Sequence, residues 1–132
     1  VIDAQLQELA EHCAANGLQL PVPIPMPNGG MLIRLPAVPV TGWNRSTADL
    51  LFVAPPGYPA AQPDCFWVEP GDFRLAGGQT PQNSNDGNPI PGDFAPGRNT
   101  TWFSWHVQNW NPSRDTLITF FKVILTRLTP AR

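Results

Sequence analysis

The plainest chemical potential in this chain lies in the run Trp102–Val107. If the run is extended, alternation puts Trp102, Ser104 and His106 on one face and Phe103, Trp105 and Val107 on the other. The second set has the character of core. The first places a hydroxyl beside an imidazole, which can draw a proton from serine. Nucleophilic catalysis also needs an acid to orient the base and donors for the oxyanion. Asp72, Asp86 and Asp93 are the acids available upstream. The plainer reading makes His106 a hydrogen-bonded structural residue, because polar groups among aromatic strands are ordinarily satisfied in that way.

Cys65 is the alternative nucleophile. It alternates with Phe66 on a short apolar strand and shares a face with Trp67, which favours a packing role. The neighbouring acids Asp64 and Glu69 disfavour a thiolate. Cys13 falls on the apolar stripe of a helix and reads as a small core residue. His12, Cys13, Cys65 and His106 lack the local spacing of a zinc site, and Gly77-Gly78 has neither the lysine nor the helix of a phosphate loop. Neither a metal nor a cofactor is expected.

These residues must be carried by a small set of elements. Ile2 to Asn16 is predicted as a helix: Ile2, Leu6, Leu9, Ala10 and Cys13 recur on one face. Asp3 supplies an N-cap and Asn16-Gly17 a left-handed stop. Leu20 to Pro27 alternates proline with apolar residues and fits only an extended edge. Met31–Leu35, Leu50–Ala54 and Cys65–Val68 follow as strands, the last two joined by a corner stiffened by Pro55, Pro56, Pro59 and Pro63. Short connections imply an antiparallel meander. From Gly71 to Asn99 periodicity is lost among turn signals, and so long a segment without regular structure points to function or disorder. A closing helix is expected from Asn111 as N-cap, with Pro112 first and Leu117, Phe120, Phe121, Ile124 and Leu128 on its apolar face. The expected fold class is α+β, one domain over residues 1–132, with helices on an antiparallel sheet.

Bulk composition narrows the function. A formal charge of −2, with eight scattered basic residues, opposes a nucleic-acid groove. No apolar run reaches transmembrane length and no signal-peptide pattern opens the chain, so no membrane association is expected. Two cysteines do not make a disulfide framework, and a cytoplasmic protein is expected.

Taken together the motifs resemble the ubiquitin-conjugating (UBC) superfamily. Phe52-Val53-Ala54-Pro55-Pro56-Gly57-Tyr58-Pro59 is similar to that family's strand and Tyr-Pro turn, and Pro63-Asp64-Cys65-Phe66-Trp67 to the start of its fourth strand. Trp110-Asn111-Pro112, followed by Asp115-Thr116-Leu117, resembles its Trp-x-Pro helix entry. Asp64-Cys65-Phe66-Trp67-x-x-Pro70, Gly78-x-x-Pro81-Gln82 and Phe103-Ser104-Trp105-His106 resemble more narrowly the bacterial branch called family E. The resemblance implies a UBC-like fold: N-terminal helix, four-stranded meander, long active-site-region loop, C-terminal helix. It also implies a multiubiquitin-type operon, with a ubiquitin-like protein and an activating-enzyme homologue as partners.

Conjugating enzymes carry a His-Pro-Asn triplet and then the thioester cysteine shortly before the Trp-x-Pro. Between Gly71 and Trp110 this chain has neither, and Thr100, Thr101 and Trp102 occupy the cysteine's neighbourhood. The expectation is therefore a UBC-like protein that acts by binding its partners through Trp102, Gln82, Asn83 and Trp110. The alternative is an active ubiquitin-like carrier (a transferase) or a hydrolase, using His106 with Ser104, or Cys65.

Overall fold

Proline and glycine punctuation cuts the chain into short strands between two terminal helices. The computed structural model, described here for residues 2–93 and 97–132, has the order α1 (Ile2–Ala15), β1 (Val22–Pro25), β2 (Met31–Pro39), β3 (Thr47–Ala54), β4 (Phe66–Glu69), β5 (Ser84–Asn85), β6 (Thr101–Phe103) and α2 (Leu117–Leu128). Strands β1 to β4 pair in sequence as an antiparallel meander, and β6 then β5 extend it to order β1-β2-β3-β4-β6-β5. The sheet thus has six strands, not four, because the segment read as lacking periodicity supplies β5 and leads into β6. No helix among the described residues is long and apolar enough to cross a membrane.

Period-two alternation gives the sheet two unlike faces. Ile33, Leu35, Leu50, Phe52, Phe66, Val68 and Phe103 face the helices and join Leu9, Cys13, Phe120, Phe121, Ile124 and Leu128 in the main core. Leu32, Leu51 and Trp67 point the other way, where Met26 and Ile90 cover them. A sheet with one face on helices must hide or wet the other. Here the long connection folds across it: Ile90 is 3% exposed, and Trp67 Nε1 donates to the Asn88 carbonyl at 3.0 Å. Arg98, beyond the turn, holds Glu69 of β4 at 3.2 Å and pairs with Asp93.

Three sequence expectations change. Asp3 lies within the first turn of α1 rather than capping it. The second helix begins at Leu117, with Thr116 as N-cap, not at Asn111. Asp115 is the reason: its carboxylate accepts the Asn111 N–H at 2.7 Å, and the Asp115 N–H donates back to the Asn111 carbonyl at 2.7 Å. That pair closes a separate turn, which Thr116 leaves in extended backbone at φ −134. Finally β4 begins at Phe66, since Cys65 has φ +63, a left-handed value outside the extended range of regular strand backbone. Gln5 also has a role its helical position did not reveal. Its Oε1 accepts the Leu117 N–H at 3.1 Å, satisfying an otherwise orphan donor at the start of α2.

Candidate functional site

The antiparallel pairing of β4 with β6 assembles the site. Phe66 opposes Phe103 and Trp67 opposes Trp102. Past the ladder's end the Cys65 N–H still donates to the Trp105 carbonyl at 3.0 Å, clasping residues 64–65 to the segment that carries His106. His106 Nδ1 hydrogen-bonds Asp64 Oδ1 across 42 positions. The ligand-capable atoms of Asp64, Cys65 and His106 all lie within 4.8 Å of one another. A carboxylate, a thiol and an imidazole therefore meet just past one end of the β4–β6 pair.

Two clefts flank them. One, of about 280 Å³, has apolar walls of Val53, Pro55, Trp67, Pro89, Pro91 and Trp102, with Asp64 and Cys65 at its rim. The other, of about 430 Å³, is lined by Asn83, Ser104, Trp105, His106 and Gln108. Ser104 and His106 line the same cleft, but beyond the end of β6 and together with Trp105, while Trp102 lines the other cleft, and no hydrogen bond joins Ser104 to His106 among the described residues. The acids first considered for His106 are engaged elsewhere: Asp72 and Asp86 with Arg74, and Asp93 with Arg98. The acid in contact with His106 is Asp64.

Burial is the main cause that raises the Cys65 thiol above its ordinary pKa, and the Asp64 charge works in the same direction. The backbone hydrogen bond involving Trp105 and one from Trp102 oppose that shift without overcoming it. Cys65 is thus a half-buried neutral thiol at rest. Cys13 is fully buried in the main core, far in kind from a reactive position, and its thiol is also raised by burial.

The other anticipated contact residues separate. Trp102 is half-buried and lines the apolar cleft. Asn83 is exposed beside Ser104, whose N–H it accepts at 2.9 Å. Gln82 is exposed, but its carbonyl receives Arg127 Nη2 at 2.7 Å. Trp110 packs against Tyr58 at 6.1 Å between ring centroids and donates to the Pro59 carbonyl at 2.9 Å, so it braces the proline corner.

Sequence reasoning passed over Arg127. It is 1% exposed, with its guanidinium 5.0 Å from the Phe103 ring centre and 5.8 Å from that of Trp105. Burial draws its pKa down to about 10, and Arg132 adds to the shift. It underpins the end of β6 and the segment after it, which carries Ser104 and His106. The signal was a cation in the last turn of the helix, which reads equally well as a solvated residue complementing the helix dipole.

No curated protein and no solved structure matches the chain. The family model described as prokaryotic E2 family E matches residues 8–131, and the chain accordingly belongs to that family.

Proposed function

We propose that this E2-like protein serves a ubiquitin-like conjugation system by binding protein partners, and that its working surface is the cleft edge around Trp102, Asp64, Cys65 and His106. The observation that carries the reading is the apolar cleft itself. Prolines and tryptophans wall it, and a polar rim of Gln62, Asp64 and Asn88 can fix an extended segment of a partner. A thiol kept protonated by burial supports binding over carriage, since thioester formation needs a thiolate. The partners implied are a ubiquitin-like protein and its activating enzyme. Two unpaired cysteines suit a reducing cytoplasm.

A second reading, favoured by one specific observation, makes Cys65 a carrier. His106 is oriented by Asp64 and lies near the thiol, as a base must to activate a nucleophile. One experiment separates the two. The chain is mixed with activating enzyme, ubiquitin-like protein and ATP, then read by intact mass and by co-elution. The binding reading expects co-elution without an adduct, weakened by Trp102→Ala and His106→Ala. An adduct cleaved by reductant and absent in Cys65→Ala establishes the carrier instead. An adduct stable to reductant but lost in base moves the chemistry to Ser104 or to Thr100 and Thr101. Failure to co-elute with either partner overturns the proposal.

A further inference from the structure

We infer that Asp64, Cys65 and His106 form a binding site for a single zinc ion. Their donor atoms lie within 4.8 Å of one another, and theirs is the one such grouping of three found among the described residues. Zinc bonds to sulfur, nitrogen and oxygen run at about 2.0–2.3 Å, so tetrahedral donors sit roughly 3.5 Å apart. Drawing in the widest pair takes movement on the order of 1 Å, while His106 Nδ1 and Asp64 Oδ1, now in hydrogen-bond contact, would part to admit the ion. The backbone need not supply it. Asp64 and His106 keep side-chain exposures of 62% and 52%, so both can adjust by rotation alone. Cys65 is the fixed member, held by its hydrogen bond to Trp105.

The donor set chooses the metal. Thiolate and imidazole are poor ligands for magnesium or calcium, whereas sulfur, nitrogen and one carboxylate oxygen match the borderline character of zinc. Three protein donors leave a fourth position, open to water or to a group from a partner, as in zinc sites that are not purely structural. Coordination breaks the Cys65 S–H bond and releases that proton to solvent; no oxidant or reductant takes part. The site also joins the two clefts, since Asp64 and Cys65 rim one and His106 lines the other. A bound ion would occupy the thiol and so exclude the carrier reading of Cys65 while it stays bound.

The test uses the full chain alone, freed of metal by chelation, with cobalt(II) as a coloured stand-in for zinc. The expected result is saturation at one ion per chain, tetrahedral visible bands, a thiolate-to-cobalt charge-transfer band, and displacement of the colour by zinc. Cys65→Ser should abolish the charge-transfer band, while Cys13→Ala should keep it. Asp64→Asn and His106→Gln alter exposed side chains and should weaken cobalt binding by at least about tenfold. Zinc should also slow alkylation of Cys65 in the unaltered chain, a readout that needs no variant to fold. Absence of the charge-transfer band, its survival in Cys65→Ser, or alkylation indifferent to zinc overturns the site. Because no partner protein is present, these outcomes are independent of the proposed binding function.

Discussion

Thr101 offers the sharpest test of how the long connection is fastened to the sheet. It is completely buried, and its hydroxyl stands between two groups. Oγ1 accepts the Phe73 N–H at 3.1 Å and donates to Asp86 Oδ1 at 2.5 Å. Thr101→Val keeps the shape and removes both bonds. Asp86 retains Arg74 and some solvent, so its loss is minor. The Phe73 N–H has no such recourse, and a buried unpaired donor costs about 1–3 kcal/mol. In a chain of this size each kcal/mol moves Tm by roughly 3–5 °C, so a fall of about 3–15 °C is expected. Urea unfolding should show a lower midpoint with an unchanged slope. Thr101→Ser keeps the hydroxyl and loses one methyl, which costs about 1 kcal/mol. Valine should therefore be no milder than serine, and exchange of the Phe73 amide should quicken in the valine variant alone. A valine variant within about 0.5 kcal/mol of the original, or clearly more stable than serine, refutes the reasoning.

Ile90→Ala should cost about 2–4 kcal/mol, because Ile90 is buried on the second face, and limited proteolysis should then cut within residues 86–93 before the rest. Asp86 is held down to about 2 from 3.8, chiefly by its hydrogen bond from Arg74. A folded pKa below the unfolded one stabilises above pH 4 and is lost as pH falls from about 4 towards 2, so Asp86→Asn should flatten the acid limb of a stability–pH curve in that window. At Cys65 the left-handed backbone inverts the usual ranking of glycine and alanine. Cys65→Gly should be at least as stable as Cys65→Ala in paired urea titrations, whereas an ordinary strand position favours alanine by about 0.5–1 kcal/mol.

Local patterns made most of the scaffold legible. Alternation in Leu50–Ala54 and Phe66–Val68 sorts residues onto two faces, and the structure keeps that sorting. The stripe Leu117, Phe120, Phe121, Ile124 and Leu128 does pack on the sheet. The start of α2 was not legible, because Asn111-Pro112 has cap chemistry that Asp115 diverts into a turn. Nor was β5, a two-residue strand whose pairing with β6 rests on tertiary position, not on any period. The acid beside His106 was hidden for a related reason. Asp64 lies 42 residues away, and only the register of β4 against β6 brings it close.

That register also explains why the chemistry of this site depends on backbone more than on side chains. Asp64, Cys65 and His106 sit just beyond the paired stretch Phe66–Val68 with Thr101–Phe103, where a slip by one residue would turn each side chain to the other face. Three features oppose a slip. Phe66 stacks on Phe103 at 4.8 Å and 3°, Arg127 lies against the Phe103 ring from the helix side, and Cys65 is tied to Trp105. The first two belong to the main core and the third to the site. A change in the core beneath Phe103 should accordingly alter the spacing of Asp64 and His106 without touching either. The proposed working surface is thus an extension of the core, and the left-handed backbone at Cys65 is where strand geometry yields to the geometry of the site.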